Sequence, residues 1–212
     1  MVIKEKLSEL RDSLNTKGYC VIKNALSKDF ISYLKISGKI INPYINPEPD
    51  KATQGNSVLK FAQEKNSLGF YCPQFGDGLL AYFLPLYEKI IEKKLAPSFC
   101  FYRRYFKGNI LTPHIDRPSC QYSITLLLDS SDDNTWDFYL TDKLGNDVKV
   151  EQNYGDLILY KGEEVPHWRE PLTTNESTEH IFLHWVDPYD PNYAPYILDK
   201  RKSLGLRKKY TG

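Results

Sequence analysis

The chain reads as a mainly β fold, a sandwich or jelly roll with helices buttressing one side, and three observations support that class. Helical periodicity is confined to roughly the first 96 residues. From Pro97 onward the texture changes to short β-branched and aromatic runs broken by turn signals, the order expected of a sheet sandwich with helical cover. Aromatics are abundant, with 16 Tyr, 10 Phe and 3 Trp, which suits pleated surfaces and an aromatic-lined pocket.

Leu7, Leu10 and Leu14 recur at helical spacing before Gly18, so a first helix is expected over 3–16. Tyr19-Cys20-Val21-Ile22-Lys23 is a short strand, and Ser27 can cap a second helix running to about Lys39. Residues 41–58 hold Pro43, Pro47, Pro49 and Gly55 and read as a loop. A third helix is expected after Asp77, burying Leu79, Tyr82, Phe83, Leu86, Ile90 and Ile91, with Pro85 kinking it or marking its first turn. The expected strands are Phe99–Phe106, Tyr122–Asp129, Asp137–Thr141, Val148–Gln152, Asp156–Tyr160 and His180–Asp187. Turns are signalled at Lys107-Gly108-Asn109, Gly145-Asn146 and Tyr154-Gly155.

The 212 residues suit one domain: a helical part over 1–96, a β core over 97–190 and a basic tail over 191–212. A chain of this length can bury roughly 70% of its unfolded surface, enough for a core that encloses a cavity. A formal charge of +1 provides no global field for nucleic acid or a membrane surface, and the basic run around Lys200-Arg201-Lys202 reads as a solvated end. No apolar run approaches a membrane span, and the charged Met1–Lys6 stretch lacks a secretory core. The four cysteines are scattered without paired spacing, so a cytoplasmic, reducing location is expected.

The chemistry sits at His114-Ile115-Asp116 and His167. Two imidazoles and one carboxylate can occupy one face of an octahedral ferrous ion and leave the other face open. On an extended strand His114 and Asp116 share a face, and His167 must come from another strand. A chain of this composition places an acidic residue two positions after one of its four histidines about every second time, so context must decide. Pro113 disfavours a helix at His114, a strand follows the pair, and His167 comes after a second strand and Pro166.

With Arg104-Tyr105-Phe106-Lys107-Gly108, His114-Ile115-Asp116, Gly155-Asp156, His167 and the closing Trp185-Val186-Asp187, residues 99–187 resemble the Fe(II)/2-oxoglutarate-dependent dioxygenases, in their prolyl-hydroxylase-like and phytanoyl-type branches. The resemblance implies a double-stranded β-helix (cupin-like jelly roll) and Fe(II) held by His114, Asp116 and His167, with 2-oxoglutarate and O2 as cosubstrates. It also implies hydroxylation of an unactivated C–H of a small molecule or peptidyl residue, with succinate and CO2 as co-products. Halogenation does not fit, because family halogenases lack the carboxylate that Asp116 supplies. The aromatic-bearing stretch 41–76, with Phe61, Phe70, Tyr71 and Phe75, is then the expected lid.

The far carboxylate of 2-oxoglutarate needs a cation or hydroxyl. The family supplies an arginine or lysine soon after the distal histidine, but here Asn175-Glu176-Ser177-Thr178-Glu179 holds no cation. Matching places Tyr105 and Thr125 in the cavity, and strand parity then brings Arg103 inward with Tyr105. Arg169 shares a face with His167, and His180 could replace the missing cation. His180 and His184 also compete with His167 as third ligand, and Arg117 could orient Asp116. Two rivals remain: a cupin-like metalloprotein that does not use 2-oxoglutarate, and a non-catalytic jelly-roll binding module.

Overall fold

The computed structural model describes residues 7–41 and 67–205. Helix α1 spans Leu7–Thr16 and ends at Gly18, whose φ of +81° and closeness to Val165 Cγ1 both exclude a side chain. Strand β1 follows at Tyr19–Ile22. Helix α2 spans Lys28–Ile41, with the Ser27 hydroxyl accepting the Phe30 N–H at 3.3 Å as the expected cap.

Strand β2, Leu68–Tyr71, differs from the lid expected over this stretch, which includes Phe70 and Tyr71. Instead they pair with Tyr102 and Phe101 at a sheet edge, so this part of the lid is ladder. Phe75 belongs to helix α3, Gln74–Ile91, and Phe61 lies outside the described residues.

Helix α3 begins before Asp77, not after it, so Pro85 lies well inside and neither starts nor ends it. Leu79, Phe83, Leu86 and Ile90 form its buried stripe as expected, together with Leu80 and Tyr87. Tyr82, expected inside, is 56% exposed on the flank, where its ring meets Phe30 at 5.2 Å.

Two antiparallel sheets follow. Ala96–Phe106 (β3), Tyr122–Ser130 (β5), Leu157–Tyr160 (β8) and Ser177–Val186 (β10) join β1 and β2 in the order β1-β8-β5-β10-β3-β2. Leu111–His114 (β4), Phe138–Thr141 (β6), Asp147–Val150 (β7) and His167–Arg169 (β9) form the second sheet, ordered β4-β9-β6-β7. This is the expected helix-buttressed jelly roll; the two sheets face each other without closing into a barrel.

Side-chain alternation splits the larger sheet into two environments. One parity, including Tyr102, Ile124, Leu126, Leu128, Leu159, Ile181, Leu183 and Trp185, packs with Leu80, Phe83 and Tyr87 of α3 in the main core. The other parity faces the small sheet, and it is polar for a buried surface: Arg103, Ser123, Thr125, His180 and His184 are all nearly inaccessible. Burying so many polar groups is costly unless they serve one another or a ligand.

The C-terminal end departs from a solvated tail. A short 3-10 segment, Ala194–Lys200, packs against β3, and Arg201 is buried, donating to Asp77 Oδ2 at 2.6 Å and to the Ser98 carbonyl at 3.2 Å. Residues 206–212 lie outside the described residues. Among the described residues no helix is long and apolar enough to cross a membrane.

Candidate active site

Strands β4 and β9 bring the two histidines together, since His114 and His167 are direct partners across the antiparallel ladder. Their ring centroids stand 4.4 Å apart, and Asp116 follows where β4 runs out. The Asp116 N–H donates to the Gly162 carbonyl at 2.8 Å, which sets the direction of its side chain. A Cβ on Gly162 would collide with Asp116 Oδ2 and come within 2.6 Å of the Cys120 carbonyl, so this position must be glycine.

The histidine tautomers follow from their partners. His114 Nδ1 donates to the Thr112 carbonyl at 2.8 Å and His167 Nδ1 to the Val165 carbonyl at 3.0 Å, because a carbonyl oxygen only accepts. Each Nε2 therefore presents a lone pair inward, 3.6 and 3.7 Å from Asp116 Oδ1. Two lone pairs converging on a carboxylate repel it unless a cation lies between them. The spacing is more than half an ångström wider than the roughly 3 Å separation of neighbouring ligands around an ion bound at about 2.1 Å, so a small inward movement would close the site on a metal. Asp116 Oδ2 is buried without a hydrogen-bond partner, a second sign of a missing positive neighbour.

The shifts of Asp116 and His167 favour the ligating forms, whereas that of His114 favours the proton that a metal would have to displace. Burial alone would raise the Asp116 carboxyl, but His167, His114 and His184 outweigh it and hold the carboxyl below its usual range. Burial pushes His167 down despite Asp116, keeping it neutral. Burial would also lower His114, but its interaction with Asp116 outweighs that and raises it. Ligation requires the ionised carboxylate and the neutral imidazoles.

Deeper between the sheets lies Arg169, two residues past His167 on the same strand face and fully buried. Its guanidinium donates to the Trp136 carbonyl, to Gln152 Oε1 at 2.6 Å and toward His180 Nδ1 at 3.4 Å, and it lies over the Trp136 and Phe138 rings. Its hydrogen-bond partners are all neutral, Nε has no acceptor, and Asp137 acts on it only through space. Burial brings its pKa down to about 10, so the group is still a cation at neutral pH. A buried cation surrounded by neutral acceptors lacks the anion that would balance its desolvation.

Thr125 lies beside this cation. Gln152 bridges the two by donating to the Thr125 carbonyl at 3.0 Å, and the Thr125 hydroxyl is buried with no hydrogen-bond partner. Tyr105 lines the same region, with its ring edge-on to Trp136 at 4.9 Å and to His180 at 5.9 Å. The polar interior between the sheets thus holds a cluster of three ligand-type side chains and, two residues along β9 from His167, a buried cation linked through Gln152 to Thr125, whose hydroxyl has no partner.

Among solved structures, the chain is similar to a prolyl-4-hydroxylase from Pseudomonas putida, with 17% identity and a TM-score of 0.62 over 84% of this chain and 98% of that one. It is also similar to a prolyl hydroxylase from Trichoplax adhaerens solved with a hypoxia-inducible-factor peptide fragment, at 17% identity and a TM-score of 0.65, covering 87% and 90%. A third is the non-heme alpha-ketoglutarate-dependent epimerase SnoN from nogalamycin biosynthesis, at 12% identity and a TM-score of 0.69, covering 96% and 91%. This is the fold of the 2-oxoglutarate–Fe(II) oxygenases. A scan of protein-family models and a sequence search of curated proteins both find no match.

Within this fold His114, Asp116 and His167 present ligand atoms within 4.8 Å of one another, while Gln152 links Arg169 to Thr125 and Tyr105 packs on Trp136. Arg103 also faces inward, partnering His180 in the ladder and lying over the Phe101 and Tyr105 rings. His180 does not replace the missing cation: burial and then Arg169 hold its pKa well below normal, so it is neutral. Arginine can only donate, so His180 Nδ1 accepts and its Nε2–H donates to the Thr178 hydroxyl at 3.1 Å. Arg117 is held by Asp199 at 3.2 and 3.3 Å rather than by Asp116. His184 is near Asp116 and Cys120, with its Nδ1 engaged by the Ser123 hydroxyl at 2.8 Å. Gln152 and Trp136 were not anticipated; no spacing rule links them to Arg169, and only the packed sheets reveal the link.

Proposed function

We propose that this chain is an Fe(II)- and 2-oxoglutarate-dependent oxygenase in which His114, Asp116 and His167 hold the metal and Arg169 receives the far carboxylate of the keto acid. The observation that carries the reading is Arg169: a fully buried cation among neutral acceptors, on the same strand face as a metal-competent histidine. A dicarboxylate with one end near the triad would give that guanidinium its counter-ion and the Thr125 hydroxyl its acceptor. A cupin-like protein without a keto acid would have no use for such a cation.

When bound, the metal and the keto acid would supply the oxidising power for attack on an unactivated C–H, with succinate and CO2 as co-products. The protein's part is to position and to exclude water. The Thr112 and Val165 carbonyls fix both imidazole tautomers, and the Gly162 carbonyl fixes Asp116. Trp136, Phe138 and Tyr105 dry the space around the cation, which strengthens its hold on an anion. The substrate class we favour is a small molecule or a peptidyl residue, with hydroxylation as the outcome.

The test is substrate-uncoupled turnover. Protein loaded anaerobically with Fe(II) and 2-oxoglutarate, then exposed to O2, should release succinate. Absence of succinate under these conditions, with the metal demonstrably bound, would overturn the proposal.

A further inference from the structure

A second cluster of chemically active side chains lies on the far side of β3 from the triad. Strand β2 ends at Tyr71, which pairs with Phe101, so Cys72 follows just past the end of the ladder, beside Cys100. The Cys72 N–H donates to the Cys100 carbonyl at 2.9 Å, and the ligand atoms of Cys72, Cys100 and Asp77 all lie within 4.8 Å of one another. Two sulfurs this close, on backbones already joined by a hydrogen bond, need only a small side-chain movement to reach bonding distance.

Three cysteine and aspartate side chains so close together would suggest a metal, but Asp77 is already committed. Its Oδ2 accepts from Arg201 at 2.6 Å and from the Gly205 N–H at 2.7 Å, and its Oδ1 lies 3.7 Å from the Cys100 sulfur. A divalent cation here would face a guanidinium.

The surroundings favour sulfur chemistry instead. Cys72 is held at φ +49°, a left-handed conformation that non-glycine residues rarely adopt, at the reversal from β2 into α3. A side chain at Gly76 would come within 2.6 Å of the Cys100 sulfur, so this glycine leaves room for it. The two thiols also differ. Burial opposes ionisation of Cys72, but the hydrogen bond from Cys100 and the charge of Arg201 outweigh it and lower its pKa. Cys100 is pushed well up, chiefly by burial. Cys72 keeps 4% exposure and Cys100 none, so an arriving oxidant meets Cys72 first.

We propose that Cys72 and Cys100 form a reversible disulfide in the folded protein, made by a peroxide and undone by a thiol reductant. The Cys72 thiolate attacks a peroxide oxygen, the O–O bond breaks, and water leaves after protonation, giving a sulfenic acid on Cys72. The Cys100 sulfur then attacks the Cys72 sulfur. The S–O bond breaks, a second water leaves with the Cys100 proton, and each sulfur has lost one electron to the peroxide.

The test uses the purified full chain with a chelator present, treated with hydrogen peroxide, then denatured and labelled with a maleimide. Of the four free thiols, two should be lost, with a cross-link joining the Cys72 and Cys100 peptides and full recovery in dithiothreitol. Cys20 and Cys120, also buried, serve as internal controls and should keep their label. In the Cys100→Ser variant the sulfenic acid has no partner, so Cys72 should become reactive to dimedone. If that variant does not fold, the wild-type thiol count decides. Four intact thiols at a peroxide dose that oxidises free glutathione would overturn the proposal, as would losses falling on Cys20 or Cys120. None of these readouts depends on metal, keto acid or turnover, so this proposal and the oxygenase reading fail separately.

Discussion

In the proposed function Arg169 is the residue on which the chemistry turns, because it is a buried cation whose hydrogen-bond partners are all neutral. A charge-assisted bond of this kind contributes about 1.5–3 kcal/mol. Arg169→Gln should therefore weaken 2-oxoglutarate binding about 10- to 100-fold while leaving Fe(II) affinity nearly unchanged. Calorimetric titration of both ligands checks this; equal losses for metal and keto acid would place Arg169 elsewhere in the mechanism. Gly162 makes the complementary prediction for the metal. A methyl group there displaces the Asp116 carboxylate, so Gly162→Ala should cost about 10- to 100-fold in Fe(II) affinity, and an unchanged dissociation constant would contradict the geometry. At this scale much was legible in the sequence. Period-two alternation placed Arg169 on the His167 face, and ligand type and spacing marked the triad. Gln152 was not legible as a bridge, because it lies just past β7 and links two strands, β5 and β9, that meet only in the fold.

At the scale of elements, most strands announced themselves through β-branched and aromatic runs, and β3, β5, β8 and β10 fall close to where these runs lie. Three strands did not. Strand β2 has Gly69 in its middle and follows a segment rich in turn residues, so nothing local separated it from a loop. Strands β4, Leu111-Thr112-Pro113-His114, and β9, His167-Trp168-Arg169, lack the β-branched and aromatic runs that marked the other short strands, yet they carry the two histidines. The C-terminal segment was misread for a related reason. A run of lysines and arginines looks solvated, and only the fold shows that Arg201 enters the core to meet Asp77. Asp77→Ala leaves that guanidinium buried and unpaired, so the denaturation midpoint should fall by an amount equivalent to about 3–5 kcal/mol. A urea titration with an unchanged m-value checks it, and a shift near zero would mean that the pair is dispensable.

For the whole molecule, the polar interior between the sheets predicts how stability varies with pH. His184 is pushed down to about 4 by burial, and His180 and His167 are lowered for the same first reason. Below an unfolded value of about 6.5 the unfolded chain binds protons that these folded sites refuse. Their contribution is complete above that value and is lost as the pH falls toward 4. His114, raised by its interaction with Asp116, acts in the opposite sense, its contribution fading as the pH rises through its folded value. Three groups against one predict a lower unfolding temperature at pH 5 than at pH 7, and a higher one would show that these imidazoles are not buried as described.

The most direct measurement of the central claim is an anaerobic titration with Fe(II) in the presence of 2-oxoglutarate, following the visible absorption of the chelated keto acid. The wild-type chain should develop the band with one equivalent of metal, and Asp116→Ala should lose it while its circular dichroism stays native. No band in the wild type, or the same band in the folded variant, would contradict the account.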